Sequence, residues 1–157
     1  MVTDPPQYMV DTCSFTAIRK NYPQDVFPSV WGKLDELADT GKIASIENVF
    51  KELEVQDNEV LAWAKSHKGV FLPLDEAIQK QTKVILKSHT GLVDLRRRRS
   101  GADPFVIAAS IVHSCIVVTE EKANSSATKP KIPDVCNAYQ VGCIGVLEMF
   151  RREGLRL

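Results

Sequence analysis

Five acidic residues stand at positions where they could do chemistry. Asp11 closes the apolar run Tyr8-Met9-Val10, Glu52 lies in Lys51-Glu52-Leu53, Asp103 stands in Gly101-Ala102-Asp103-Pro104, and Glu120-Glu121 follow Ile116-Val117-Val118-Thr119. Each falls where a strand should meet a helix, and in an open parallel α/β sheet those junctions converge on one edge. Two carboxylates about 4 Å apart repel by roughly 4 kcal/mol at an effective dielectric of about 20. A cluster of them therefore needs a shared proton or a cation. Oxygen-only donors that leave room for water suit Mg²⁺ or Mn²⁺, and such ions polarise a phosphoryl oxygen and acidify water for in-line attack. The chemistry this implies is phosphodiester hydrolysis.

Each residue also has a plainer reading. Asp11 can be an N-cap acceptor for backbone N–H groups. With Pro104 at the first helical position, Asp103 is a natural N-cap too. Glu52 sits on a helix whose other face is apolar and can be solvated, and Asp134 after Pro133 can cap its own helix. One of Glu120 and Glu121 should face the sheet edge and the other solvent. The run Arg96-Arg97-Arg98-Arg99 can hold phosphates through bidentate bonds or end a solvated helix. His67, His89 and His113 share no ligand spacing and read as surface or packing residues.

The elements that must position these groups follow from periodicity. Residues 1–7, with Asp4-Pro5-Pro6, are expected to be a flexible leader before a strand at 8–10 that stops at Asp11-Thr12. Val30, Trp31, Leu34 and Leu37 repeat at helical spacing within 26–37, with Gly41 as a C-terminal stop. Ile43-Ala44-Ser45 is a short strand, followed by a stripe of Ile46, Val49, Phe50 and Leu53. A helix over 57–67 turns Val60, Leu61 and Ala64 inward, and Trp63, like Trp31, belongs to the core. Val70-Phe71-Leu72-Pro73 reads as extended, and Asp75 to Lys87 as helical through Ala77, Ile78, Val84 and Ile85. The nearly all-apolar stretch from Asp103 to Ser114 should be buried on more than one side. Cys115 to Val118 is a fully buried strand of the parallel kind. Residues 122–131 are a surface loop, Ile132-Pro133-Asp134 opens a short helix, Cys143-Ile144 is a last edge strand, and Leu147 to Glu153 a closing helix. Short strands alternating with longer helices imply an α/β fold, a sandwich built on a parallel sheet.

Composition bounds the rest. With 157 residues, 44% hydrophobic, the chain has room for one well-buried core, and a single domain over 1–157 is expected. Lys and Arg number 20 and Asp and Glu 20, so no global field attracts nucleic acid and any basic surface must be local. Cys13, Cys115, Cys136 and Cys143 show neither a Cys-x-x-Cys spacing nor the density of a disulfide scaffold, and read as reduced, mostly buried thiols. No apolar stretch approaches a membrane span and no signal segment opens the chain, so a cytoplasmic protein without membrane contact is expected. Hydride transfer, zinc proteolysis and serine hydrolysis lack their motifs.

Taken together, Tyr8-Met9-Val10-Asp11-Thr12, Ser45 to Leu53 with Glu52-Leu53, Ala102-Asp103-Pro104-Phe105-Val106-Ile107-Ala108-Ala109 and Ile116 to Glu121 resemble the ordered motifs of PIN-domain ribonucleases, including the VapC-like toxins. Lys131-Ile132-Pro133-Asp134-Val135-Cys136 resembles a little-characterised PIN-like branch. The resemblance implies a three-layer α/β/α sandwich with a central parallel sheet and an acidic pocket holding one or two Mg²⁺ or Mn²⁺ ions. It implies metal-dependent endoribonuclease activity on RNA, with Asp11, Glu52, Asp103 and Glu121 as the metal site. Thr12 would support the first carboxylate, Thr119 would line the strand end, and Glu120 is held in reserve for Glu121. Arg97, Arg98 and Arg99 would bind the RNA. The same likeness implies the toxin of a toxin-antitoxin pair, with a cognate antitoxin and a homodimer. Two positions depart from the pattern: Cys13 stands where many relatives have asparagine, and Glu121 where aspartate is common. The readings kept beside it are a PIN-like module that binds RNA or protein and cleaves little, and a receiver-like phosphoacceptor, for which the lysine expected at the last strand end is missing.

Overall fold

Tyr8, Met9 and Val10 are apolar in succession, as a strand covered on both faces must be, and they form the middle strand of a parallel sheet with no exposed surface. The computed structural model describes residues 5–56, 58–89, 102–123 and 130–157. Residues 1–4 of the expected leader, Arg96 to Arg99, and residues 124–129 of the expected loop lie outside them.

After β1 (Tyr8–Val10) the chain runs through α1 (Thr12–Asn21), α2 (Pro28–Asp39), β2 (Ile43–Ile46), α3 (Glu47–Gln56) and α4 (Glu59–Ser66). A 3-10 turn at Lys68–Val70 leads into β3 (Phe71–Leu72) and α5 (Glu76–Ser88). There follow α6 (Asp103–His113), β4 (Ile116–Val118), α7 (Ile132–Ala138), β5 (Cys143–Ile144) and α8 (Val146–Arg152). The five strands lie in the order β3-β2-β1-β4-β5, and every neighbouring pair is parallel. Tyr8 pairs with Ile43 on one side and with Ile116 on the other. The connections step outward from β1 to β3, then cross back past β1 to β4. That reversal places a topological switch point between β1 and β4, where the carboxyl ends of an open sheet leave a crevice.

Helices cover both faces, giving a three-layer α/β/α sandwich. On one side α1 packs with α3, α4 and α8; on the other α6 packs with α5, α7 and the three central strands. This division follows from right-handed crossovers whose direction along the sheet reverses once. The apolar run of α6 explains its place: Pro104, Val106, Ile107, Ala108, Ala109 and Ser110 are all buried, with the Ser110 hydroxyl donating to Val106 O. At the opposite sheet end the Tyr8 hydroxyl donates to Glu153 at 2.7 Å and Lys42 pairs with the same carboxylate at 2.8 Å, fastening the first strand to the end of α8.

Two local expectations change. In α5 only Ile78 and Ile85 of the four apolar positions face the core, joined by Thr82, whose hydroxyl donates to Ile78 O. Ala77 is exposed and Val84 is 50% exposed, because the helix buries one narrow face. In α2 the helix begins at Pro28, leaving Val26 63% exposed. Gly41 does end that segment, with φ at 76°. Among the described residues no helix is long and apolar enough to cross a membrane.

Ile107 is fully buried where α6 meets the sheet. Ile107→Ala should cost about 2–5 kcal/mol of stability, read as a lower urea midpoint at unchanged slope.

Candidate functional site

Asp11 is placed by β1 and held by α1. Its backbone N–H continues the ladder to Val118 O at 3.2 Å, and its side chain then caps α1, Oδ1 accepting from Ser14 N at 2.9 Å. The Ser14 hydroxyl donates to Val118 O and the Ser45 hydroxyl to Val10 O, so the first turn of α1 and the end of β2 are both tied to this junction. The carboxylate is 2% exposed. Burial pushes its pKa up, against hydrogen bonds from Cys13, Thr119 and Ser14 that favour the charged form.

Cys13 is not simply an apolar filler. Its thiol lies 3.2 and 3.0 Å from the two Asp11 oxygens and 3.4 Å from the Thr119 hydroxyl, and its sulfur accepts from Glu120 N. Burial and the adjacent Asp11 charge push the thiol up, so it keeps its proton and donates to the carboxylate. Thr119, buried, also accepts from Glu121 N at 3.1 Å, forming a short turn at the end of β4.

Glu52 approaches from α3. The Thr12 hydroxyl donates to its Oε2, and Ala102 N donates to Oε1 at 3.2 Å. Thr12 thus supports the second carboxylate rather than Asp11, because as the first residue of α1 it lies past the capping position and opposite α3. Glu52 is half-buried, and burial pushes its pKa up, with Asp11 adding to the rise.

Asp103 is not the cap of its helix. The capping position is Ala102, which offers no side chain, and Asp103 and Pro104 are the first two helical residues. Proline is tolerated throughout the first turn, where its missing N–H is no loss. Released from capping, the Asp103 carboxylate takes no hydrogen-bond partner among the described residues. Its pKa is pushed up to about 8, by burial first, then by Glu121, Asp11 and Glu52, against a smaller pull from Lys131. The segments carrying Asp11, Glu52, Asp103 and Glu121 therefore meet within electrostatic reach at the carboxyl edge of the sheet.

The two glutamates after β4 separate as their positions required. Glu121 is half-buried, raises the Asp103 pKa, and accepts from Ile132 N at 3.0 Å. Glu120 is exposed and accepts from Val146 N at 2.9 Å, where it starts α8. Asp134 accepts from Lys131 N at 2.8 Å and holds the start of α7. Arg97, Arg98 and Arg99 lie outside the described residues. Three neighbours escaped the sequence reading. Lys131 is a cation beside Asp103, and Cys143 lies in the field of Asp11 and Glu121. Asn48, one helical turn before Glu52, has a buried Oδ1 without a hydrogen-bond partner. Only the four-residue spacing from Glu52 could have drawn attention to Asn48.

As the side chains stand, no group of three or more His, Cys, Asp or Glu among the described residues is arranged to hold a metal ion. The hydrogen bonds explain this in part: Asp11, Glu52 and Glu121 each give an oxygen to a backbone N–H, while Asp103 relieves the repulsion by holding a proton. The donor chemistry, all carboxylate oxygen at the crowded edge, is nevertheless that of a hard divalent cation.

Over residues 8–157 the chain matches the family described as "Domain of unknown function (DUF4411)". The chain belongs to this family. No curated protein matches it.

The crowding predicts a pH dependence. Between the ordinary carboxylate range and about pH 8 the folded protein holds a proton on Asp103 that the unfolded chain has released. Linkage then makes stability fall as pH rises through that window and level off above it. In metal-free buffer near the upper end of that window, Asp103→Asn should melt higher than the parent, by roughly 2–4 °C for each kcal/mol relieved, and should flatten the slope. Equal or lower melting in a thermal scan would show that the carboxylates do not crowd.

Proposed function

We propose that this protein is a metal-dependent endoribonuclease that hydrolyses RNA phosphodiester bonds. The observation that supports this best is the elevated pKa of Asp103, set by Glu121, Asp11 and Glu52 from separate segments at the switch point of the sheet. An acidic crevice there is where an open α/β sheet binds its ligand, and these carboxylates are the ones matched by the resemblance to PIN-domain ribonucleases. Asp11, Glu52, Asp103 and Glu121 would hold Mg²⁺ or Mn²⁺, which when bound neutralises charge, polarises a phosphoryl oxygen and acidifies water.

The chain's own groups have distinct tasks in this reading. Ser14 N, Cys13 and Thr119 fix the orientation of Asp11, and Thr12 with Ala102 N fixes Glu52. Asp103 gives up its proton as positive charge enters, so binding should strengthen with pH towards about 8. Arg97, Arg98 and Arg99, just before Asp103 in sequence, would hold the RNA phosphates and make binding salt dependent. On the same resemblance the protein would be the cytoplasmic toxin of a toxin-antitoxin pair, a homodimer whose antitoxin covers the pocket.

The hydrogen bonds that occupy Asp11, Glu52 and Glu121 favour a second reading, a PIN-like module that binds RNA or a protein and cleaves little. One experiment separates the two. Incubated with structured and unstructured RNA, the wild type should cleave only with Mn²⁺ or Mg²⁺, and Asp11→Asn should cleave at least about 100-fold more slowly. Mn²⁺ should also raise the melting temperature of the wild type. Cleavage that ignores both the ion and the substitution, or the lack of any Mn²⁺ uptake by calorimetry, would refute the nuclease reading.

A further inference from the structure

Two thiols beside the acidic edge are placed against each other by the fold. Cys136 is fully buried on α7, Cys143 is the half-buried first residue of β5, and their side chains are hydrogen-bonded to one another. A tight turn brings them together: Val141 N returns to Cys136 O at 2.8 Å, and Gln140 takes the left-handed conformation with φ at 57°. From there β5 enters the sheet, with Cys143 opposite Val117. All four cysteines are free, and the other two have different neighbours. Cys13 is engaged with Asp11 and Thr119, and Cys115 donates to Pro6 O.

We propose that Cys136 and Cys143 are a reversible dithiol pair that a hydroperoxide converts to a disulfide, cross-linking α7 to β5. The half-exposed Cys143 sulfur attacks the outer peroxide oxygen, the O–O bond breaks, and the alcohol leaves. The resulting sulfenic acid on Cys143 is then attacked by the Cys136 sulfur; the S–S bond forms, and the Cys136 proton leaves with the hydroxyl as water. Two thiols and one hydroperoxide thus give one disulfide, one alcohol and one water. A dithiol reductant reverses the change. The Cys136 thiol, donating to the Cys143 sulfur, pushes the Cys143 thiol down, which suits Cys143 to be the attacking partner.

Closing the bond matters because α7 is also attached to the acidic edge. Its first residue, Ile132, donates its N–H to Glu121 Oε2 at 3.0 Å, one helical turn before Cys136. Shortening a thiol–thiol contact to a covalent separation of about 2.05 Å draws α7 towards β5 and shifts the group that orients Glu121. This consequence, though not the disulfide itself, rests on the nuclease reading of the site. In that reading the oxidised protein cleaves RNA more slowly.

The test treats the full-length chain with tert-butyl hydroperoxide, blocks the remaining thiols with an alkylating reagent and maps the peptides by mass spectrometry. The expected result is a Cys136–Cys143 linked peptide that dithiothreitol reverses and Cys143→Ser lacks. Oxidised wild type should lose roughly tenfold or more of its Mn²⁺-dependent RNA cleavage, as small misplacements of catalytic groups do, and recover it on reduction. Cys143→Ser should cleave normally and lose no activity to peroxide beyond what other residues cause. If both cysteines remain open to alkylation, or Cys143 over-oxidises without linking, the dithiol proposal is overturned. A linked peptide with unchanged cleavage overturns its effect on the site. A linked peptide in a protein that cleaves RNA in neither state supports the dithiol and refutes the nuclease reading instead.

Discussion

Repulsion among carboxylates at the carboxyl edge of the sheet is the constraint around which this end of the molecule is arranged. Asp11 is 2% exposed, and Asp103 holds its proton to about pH 8 because Glu121, Asp11 and Glu52 stand around it. Like charges in a poorly solvated crevice are costly, and proteins keep them only where something compensates. Here part of the compensation is internal. Backbone N–H groups of Ser14, Ala102 and Ile132 and the hydroxyls of Thr12 and Thr119 each take a share of the negative charge. The part left over falls on Asp103, which sits in the first turn of α6 where the helix dipole should favour its ionisation and nevertheless stays neutral. Perturbation of that size, in a crevice at a topological switch point, marks a functional place more often than a structural one.

The elements that build the crevice also divide its work. The β1–α1 junction supplies Asp11 together with the thiol and hydroxyls that orient it, so a single turn of chain carries both a ligand and its supports. Glu52 comes from α3 but is held by Thr12 of α1, which couples the second layer of helices to the first carboxylate. Glu121 is held from the far side by the start of α7. Support of this kind, in which a neighbouring group fixes the rotamer of each acid, is what keeps such a site within the tolerance its chemistry needs.

Much of this was legible before any coordinates. The strand that ends in Asp11 and the strand that ends in Thr119 announce themselves by unbroken apolar runs, and parallel strands buried on both faces have no other signature. The all-apolar face of α6 likewise required a central position. Other features depend on distances that no spacing encodes. Pro104 fitted the first helical position so well that Asp103 looked like a cap, whereas the helix begins one residue earlier and the carboxylate is left unbonded. Thr12 follows Asp11 in sequence but reaches Glu52, and Cys136 and Cys143 meet only because a left-handed turn at Gln140 folds the chain back. Ala77 and Val84 show the limit of periodicity in the other direction, since an amphipathic pattern does not say how wide the buried face will be.

The fastening of Tyr8 and Lys42 to Glu153 bears on when the molecule becomes competent. The strand that delivers Asp11 is among the first parts to leave the ribosome, yet its neighbour β4 and its anchor on α8 are among the last. A nascent chain therefore exposes its central strand without the flank that completes the acidic crevice, and the carboxylates stay apart and freely hydrated until synthesis is nearly finished. Repulsion that would hinder early collapse is thus postponed to the final step of assembly, when enough buried surface exists to outweigh it.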